Sequence, residues 1–467
     1  MTVITYWVIS IRMKAHYRKR KTRYEFELTG KGRTTAHGGQ VLVDVLCRRF
    51  GLWERISWIE GIDPRKRKSS GHDPEAMAAQ IIFMLTSGGA SLADAERIGQ
   101  DAVLLESVGL EKVADQTTLG EWLRAQTPES VRRLCKLNSD FVKEVIEASQ
   151  PARVRHGGEL EMFFDDTEIE VYGKKIEGAR LNYNGDLALS WQTLWAGPFL
   201  LDQELGGFGT VSECQQALLD EHGALWAGGK SYFYADSGSS EGKLLTHTAG
   251  SEFSRWSVSY NKWTGPLERF AGEKPDSDWG DPAERHGVSE TYTWIKHMPE
   301  GMDETQTFAA CRWKKPDEMF WRYAFVACEK DATRTPRAVF ERHRLKGASE
   351  QRFSEVLADL DLHHPPCLSL IANRAFYALA TLAYNVLTAL KVLDLDDEQQ
   401  TWRVRTIIRH LLTVPATQVT HANRRRLRIC LPAGMLRWWR LFLARFVPRR
   451  KRGEGTDEAY WPEPKTE

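Results

Sequence analysis

Three acidic residues, Asp165, Asp236 and Glu350, have a type and setting that could do metal-dependent chemistry. Asp165 ends the apolar run ELEMFFDD, and Asp236 ends the strand-like run of SYFYADSGSS. Their separations are 71 residues (236 minus 165) and 114 residues (350 minus 236). Two divalent cations held about 3.5–4 Å apart need shared carboxylates on rigid elements. The pattern fits such a site, but acids at strand ends are also common turn and helix-cap residues.

The third acid comes from a predicted helix. In GASEQRFSEVLADLDL, Phe353, Val356, Leu357 and Leu360 follow i, i+3, i+4, i+7 spacing, which predicts one buried stripe. Glu350 precedes Phe353 by three residues, so we expect it on the inward side of that helix.

Asp166 is an alternative to Asp165 as the first of the three acids. Adjacent strand residues point to opposite faces of a sheet, so only one of the two should reach a common site.

The elements that must position these acids fall into three groups. Capping signals such as Ser91 with Asp94, and Thr118 with Glu121, predict short helices up to about residue 150. From residue 159, the order strand, strand, helix, strand predicts an α/β sheet. Residues 250–330 alternate aromatic or β-branched with polar residues, which indicates an antiparallel β insert. Helix returns at 347, and the apolar segment near 370–393 is expected to lie in the interior.

Composition narrows the class of protein to which the chain can belong. Hydrophobic residues make up 42% and charged residues 27%, an ordinary globular balance. The seven dispersed cysteines predict reduced thiols in a cytoplasmic protein, with neither a disulfide framework nor a zinc site. The apolar run at the N-terminus precedes its basic run, unlike a secretory signal, and no membrane segment is predicted.

Charge is distributed unevenly although the net charge is only +1. Residues 1–24 contain seven Lys or Arg and no acid, and residues 401–452 contain fourteen and no acid. Two basic arms indicate a polyanionic partner, with nucleic acid as the first candidate. The alternative is a pair of solvated tails.

Several segments resemble bacterial insertion-sequence transposases of the DDE superfamily. FFDDTEIEVYGKKIEGARLNYNG is similar to the first catalytic segment of that family, YADSGS to the second and HRLKGASEQRFSEVLADLDLHHPPC to the third. ADQTTLGEW and IANRAFYALATLAYNVL also resemble family segments, so the likeness runs from about residue 30 to 445. The match of the first catalytic segment to the family pattern favours Asp165 over Asp166 as the first metal ligand. The likeness as a whole implies that Asp165, Asp236 and Glu350 are the catalytic metal ligands.

The resemblance implies a ribonuclease-H-like α/β core interrupted by an antiparallel β insertion, with a helical N-terminal domain and a basic helical C-terminal region. The expected division is a basic arm, a helical DNA-end-binding domain, a first part of the core, the insertion, a second part of the core, and the C-terminal region with its tail. The corresponding ranges are 1–24, 25–150, 151–246, 247–330, 331–395 and 396–467.

The implied activity is cut-and-paste transposition by phosphodiester hydrolysis and strand transfer, using two Mg²⁺ ions for which Mn²⁺ can substitute. The implied partners are transposon-end duplex DNA and target DNA, bound by a homodimer in a bacterial cytoplasm at the nucleoid, with no membrane. The side chains expected to contact DNA are Lys346, His343, Lys175, Arg424, Arg425, Arg426, Trp263 and Trp294. Lys346 could equally be a solvated lysine, and the insert tryptophans are more often sheet core than DNA-reading groups.

The chain departs from the family pattern. The branch carries Tyr, Arg, Glu and Lys along its last catalytic helix, where this chain has His343, Lys346, Glu350 and Leu357. Ser239 stands where an aromatic residue often follows DSG. These changes leave open a divergent active enzyme or a DNA-binding protein that has lost catalysis. A glycosidase using Asp165 and Asp166 as its carboxylate pair is the remoter alternative, and it predicts no salt-dependent DNA affinity.

Overall fold

The computed structural model describes residues 32–173, 175–182, 184–206, 211–261, 264–315, 318–329, 333–421 and 424–446, leaving out the side chains of residues 348–350, 421, 424 and 445. The predicted arm at 1–24 and Trp263 lie outside the described residues. The fold is mixed α/β, with one ten-stranded and one three-stranded sheet accompanied by helices. The predicted α/β class is confirmed.

The helices of the N-terminal part are α1 (Gln40–Arg49), α2 (Leu52–Ser57), α3 (Pro74–Thr86), α4 (Leu92–Ile98), α5 (Ala102–Val108), α6 (Gln116–Arg124), α7 (Pro128–Ala148) and α8 (Pro151–Val154). Those that follow are α9 (Val211–His222), α10 (Gly242–Gly250), α11 (Gly265–Glu273), α12 (Pro336–Arg344), α13 (Gly347–Ser354), α14 (Leu370–Asp394), α15 (Val404–Ile407) and α16 (Ala433–Phe446). Single 3-10 turns lie at Gly223–Leu225, Ser237–Ser239, Asp276–Asp278 and Asp397–Thr401. Helices α13 and α15 each continue into a π-helical turn, at Glu355–Asp359 and Ile408–Leu412.

The strands are β1 (Thr34–Thr35), β2 (Leu160–Glu170), β3 (Arg180–Leu181), β4 (Leu187–Ala196), β5 (Phe199–Leu205), β6 (Ser231–Ala235), β7 (Arg255–Ser259), β8 (Ala283–Arg285), β9 (Val288–His297), β10 (Gln306–Trp313), β11 (Arg322–Cys328), β12 (Ala416–His421) and β13 (Arg424–Ile429).

Helix caps in the N-terminal part follow the sequence signals in most places. The predicted capping box of Ser91 and Asp94 is confirmed at the start of α4. The predicted cap of Thr118 with Glu121 is wrong, because Asp115 caps α6 and accepts a hydrogen bond from the Thr118 backbone nitrogen. Both Asp and Thr are good caps, and the helix starts at the earlier of the two.

The ten-stranded sheet is built around β2. It pairs antiparallel with β4 on one side and parallel with β6 on the other, and β7 follows β6 in parallel. Strand β4 also pairs with β5 and β3. The parallel pairing of β2 with β6 ends at Phe164 and Ala235, where β6 stops and β2 continues to Glu170.

Strands β8 to β11 extend this sheet rather than forming a detached one. They pair antiparallel in the order β11, β10, β9, β8, and β11 pairs antiparallel with β7. The polar and apolar alternation in these segments is what an antiparallel sheet with one solvated face requires.

Helix α14 lies at the centre of the core. It is long and apolar enough to cross a membrane, but 89% of its most apolar 18-residue window is buried inside the fold. Asn385 of α14 donates to Asn138 of α7 (2.7 Å) and to the Leu200 carbonyl of β5 (2.7 Å), so one polar group joins both helices to the sheet. The predicted interior position of this segment is confirmed.

The three-stranded sheet brings distant parts of the chain together. Strand β1 pairs antiparallel with β12, and β12 with β13. Residues just before α1 are thereby joined to the basic C-terminal region, and α16 packs into the same core through Trp439, Phe442 and Phe446.

Candidate active site

Asp165 and Asp236 lie side by side, each directly after the last residue pair of the parallel ladder between β2 and β6. Asp236 follows the end of β6, but Asp165 lies in the middle of β2, so the expectation that Asp165 ends a strand is wrong. Phe163 of β2 is in register with Tyr234 of β6, and their rings stack with centroids 5.6 Å apart. Two residues further along each strand, side chains return to the same face. Asp236 keeps an extended backbone (φ −82°, ψ −170°), so both carboxylates continue the face occupied by the two rings.

Asp236 is also a helix cap. Its Oδ1 accepts a hydrogen bond from the Gly238 backbone nitrogen (2.8 Å) at the start of the Ser237–Ser239 turn. A carboxylate has about four acceptor positions. Capping therefore leaves most of the acceptor capacity of Asp236 free, and the cap and ligand interpretations of this acid are compatible.

The surroundings of Asp165 disfavour the ionised form of its carboxyl group. Burial, opposed by Lys346 and reinforced by Asp236, raises the pKa of Asp165 to about 7. Its Oδ1 accepts one hydrogen bond, from the Asp166 backbone nitrogen (3.1 Å). The two neighbouring carboxylates thus carry more negative charge than the surrounding groups neutralise.

Asp166 points away from Asp165. It accepts a hydrogen bond from the Ser190 hydroxyl of β4 (2.6 Å), and burial raises its pKa. The alternation along β2 gives Asp165, and not Asp166, the face on which Phe163 contacts Phe353 of α13.

Helix α13 crosses this same face. At its start, the charge of Lys346 acts on Asp165, and seven residues later the ring of Phe353 contacts Trp195 (5.3 Å between centroids). The backbone of Glu350 lies in the helical turn between them, and residues at i, i+4 and i+7 share one helix face. The Glu350 side chain lies outside the described residues, so its approach to the two aspartates stays a prediction.

His343 has a position that weighs against its predicted DNA contact. It is 7% exposed, and its ring nitrogens pair with the hydroxyls of Ser257 (2.8 Å) and Ser259 (2.7 Å) on β7. Burial, followed by the charges of Lys346 and Arg344, lowers the pKa of His343 to about 3, so the ring is neutral. His343 holds the end of α12 against the sheet and thereby fixes where Lys346 begins α13.

Two of the departures from the family pattern, at Leu357 and Ser239, are internal. Leu357 is buried in the π-helical turn after α13, so this position faces the core. Ser239 is buried and donates to the Gln215 side chain of α9 (2.6 Å). A larger aromatic group at position 239 would have to displace packed neighbours.

The remaining predicted DNA contacts are spread over other surfaces. Lys175 is exposed, and Trp294 is half-buried against a small cluster that includes Phe340. Arg425 and Arg426 are exposed on β13, where the Arg424 side chain is outside the described residues. Among the described residues, none of these side chains has a hydrogen bond or ion pair with Asp165 or Asp236. Trp294 packs against the sheet cluster, which is the alternative role considered for it.

A second acidic group, which the sequence patterns did not reveal, joins Asp202 of β5 to Glu221 and His222 of α9. Their ligand-type atoms lie within 4.8 Å of one another. Arg132 of α7 binds Asp202 (2.9 and 2.5 Å) and also Glu221, and His222 pairs with Asp202 (2.6 Å). A guanidinium already occupies the place of a cation, so this is an internal ion-pair network.

Comparison with known proteins agrees with the sequence resemblance. A family model described as transposase DDE domain group 1 matches residues 17–187 and 213–446. The match covers most of the chain, including the segments that carry Asp165, Asp236 and Glu350. A search of curated proteins gave no match.

Proposed function

Because the chain belongs to the family of DDE transposases, we propose that it catalyses cut-and-paste DNA transposition with Asp165, Asp236 and Glu350 as its catalytic carboxylates. The observation that carries this proposal is the pair of aspartates just beyond the paired segment of two parallel strands, where the pKa of Asp165 is raised to about 7 by burial and by Asp236, against the effect of Lys346. Perturbed carboxylates of this kind are typical of functional sites.

The strand order supports a ribonuclease-H-like core as part of the proposal. Strands β5, β4, β2, β6 and β7 run side by side in that order, with β4 antiparallel to β2, and with β6 and β7 parallel to it. Strands β8 to β11 then take the role of the insertion between Asp236 and Glu350.

The donor set suits a hard divalent cation. Carboxylate oxygens are the ligands that Mg²⁺ prefers, and it usually keeps water and substrate phosphate oxygens as well. Two such ions, for which Mn²⁺ can substitute, would supply charge neutralisation and activation of water at the scissile phosphate. Asp165 and Asp236 fit this role because the protein itself leaves their charges largely uncompensated.

The chain's own residues then orient the DNA and manage charge. Lys346 is half-exposed and close enough to act on Asp165, so we assign it to a non-bridging oxygen of the bound phosphate. His343, at the end of α12, is a positioning residue for Lys346, which lies three residues later at the start of α13. Preorganised cations of this kind are effective where negative charge develops in the transition state.

Transposon-end DNA and target DNA are the proposed partners, and a homodimer is the proposed assembly because two ends must be held together. The acid-free region 401–452 supplies the electrostatic attraction that duplex DNA requires.

The test is nicking of a plasmid that carries the flanking DNA of this gene. We expect cleavage at the element's ends in Mg²⁺ or Mn²⁺. Asp165→Asn and Asp236→Asn should each abolish cleavage. Asp166→Asn is the matched control, because it removes a carboxylate next to the site but on the other face, and it should retain cleavage.

Unchanged nicking in Asp236→Asn would refute the site. Loss of nicking in Asp166→Asn with activity retained in Asp165→Asn would reverse the assignment of the first ligand. Tight binding of the duplex without cleavage under either metal would favour the inactive DNA-binding alternative.

A further inference from the structure

The three-stranded sheet has two unlike faces, which its register defines. Thr34 pairs with Thr417, which pairs with Arg428, and cross-strand partners share a face. The neighbouring row contains Thr35 and Ala416, both of which are buried. The Thr35 row therefore faces the protein, and the Arg428 row faces outward.

The inward face is tied to α5. Gln418 donates to Glu106 of α5 (3.0 Å), and Arg425 donates to the same carboxylate (2.9 Å). Arg33 binds Glu106 as well. Arg425 is thus exposed in part but engaged in a local ion-pair network.

The outward face is basic. Its described side chains are Thr34, Thr417, Val419, Arg426 and Arg428, and none of them is acidic. Arg426 and Arg428 are exposed, and within the part of the chain that the structure describes neither guanidinium has a hydrogen bond or ion pair. Along a strand, side chains two residues apart are separated by about 7 Å, so the two guanidinium groups form a regular row.

We propose that the outward face of β13 is a second DNA-contacting surface, on which Arg426 and Arg428 bind phosphates of the duplex outside the cleavage site. This inference rests on the proposed function and deepens it. Arginine matches phosphate because its planar fork donates two parallel hydrogen bonds. Val419 is the one apolar side chain described on this face, which gives the surface little to insert into a membrane.

The inference also changes which arginines of the segment NRRRLR are assigned to DNA contacts. The sequence prediction chose Arg424, Arg425 and Arg426. Strand alternation places Arg425 on the inward face with Glu106, and it adds Arg428 to the outward row.

Phosphate contacts are independent of DNA sequence, so the test needs no knowledge of the terminal repeats. We would measure the affinity of the full chain for a mixed-sequence duplex by fluorescence anisotropy over a series of KCl concentrations. Each phosphate contact contributes about 0.9 to the slope of log affinity against log salt. We expect the double variant Arg426→Gln/Arg428→Gln to lower that slope by about 1.8, and Arg428→Gln alone by about 0.9.

Arg425→Gln is the matched control, since it removes the same charge from the same strand but from the other face. It should leave the slope close to that of the wild type. Thermal unfolding of each variant checks that the fold is retained, and the exposed single variant Arg428→Gln keeps the test usable if the double variant is unstable.

An unchanged slope in the double variant, or an equal loss in Arg425→Gln, would overturn the inference and leave the proposed function standing. Absence of any salt-dependent DNA affinity in the wild type would overturn both proposals.

Discussion

The Asp165–Asp236 pair and the Asp202 group place acidic side chains close together, and they differ in what neutralises them. At Asp202, burial alone would raise the pKa, but hydrogen bonds from His222 and Arg132 outweigh it and lower the pKa. At Asp165, burial prevails over Lys346, and Asp236 adds to it, so the pKa is raised to about 7.

The difference shows that the distance between carboxylates does not identify a cation site. The ligand-type atoms of the Asp202 group lie within 4.8 Å of one another, yet Arg132 already completes the group. What distinguishes the Asp165 pair is negative charge without an equal internal counter-charge. A divalent cation can lower the free energy of such a pair, because nearby like charges and burial both oppose ionisation.

The largest expected effect concerns metal binding. Asp165→Asn/Asp236→Asn should weaken Mn²⁺ binding by at least about a hundred-fold, since losing even a partner of a metal ligand costs up to that much. Calorimetric titration with Mn²⁺ measures it. Glu221→Gln removes a carboxylate from the Asp202 group and should leave binding unchanged. Weaker Mn²⁺ binding in Glu221→Gln, with unchanged binding in Asp165→Asn/Asp236→Asn, would show that the cation binds at the Asp202 group and not at the Asp165–Asp236 pair.

The second-largest expected effect concerns the Asp202 group and the free energy of unfolding. Arg132→Met leaves the buried Asp202 without its guanidinium, which should lower the free energy of unfolding by about 3 kcal/mol. Urea unfolding at neutral pH measures the change. Arg133→Met is the control from the same helix, where the partners Glu60 and Glu129 are exposed, and it should change little. Similar losses in both variants would show that Arg132 is not neutralising a buried charge.

A pH dependence follows from the raised pKa of Asp165. A carboxyl group whose pKa is higher in the folded than in the unfolded protein favours folding in its protonated form. The metal-free protein should therefore lose stability as the pH rises from about 4 to about 7. Unfolding in the presence of a chelator should show this decline in the wild type and a weaker one in Asp165→Asn. The same decline in stability with pH in both proteins would contradict the raised pKa of Asp165.

The smallest effect concerns the cation beside the pair. Lys346→Gln should raise the pKa of Asp165 further, by about one unit, and move the same decline in stability to higher pH. Lys175→Gln is the control, because Lys175 is exposed and is not among the charges that act on Asp165. An identical shift in both variants would indicate a general charge effect and not a local one.

The sequence allowed prediction of the features that depend on local pattern. Alternation along β2 and the family register gave Asp165 its face, and the apolar run of α14 gave its interior position. Thr118 shows the limit of capping signals, because Asp115 three residues earlier satisfies the same chemistry. Pattern alone could not reveal His343 as an internal brace, since its partners Ser257 and Ser259 are more than 80 residues away. The Arg132–Asp202 pair spans 70 residues and left no local signal either.

The pairing of β1 with β12 has a consequence for biosynthesis. Thr34 has its strand partner at Thr417, so the first described strand cannot pair until residue 417 has left the ribosome. Chains fold progressively from the N-terminus as they emerge. A nascent or prematurely terminated product that ends before residue 416 cannot assemble the arginine row at all.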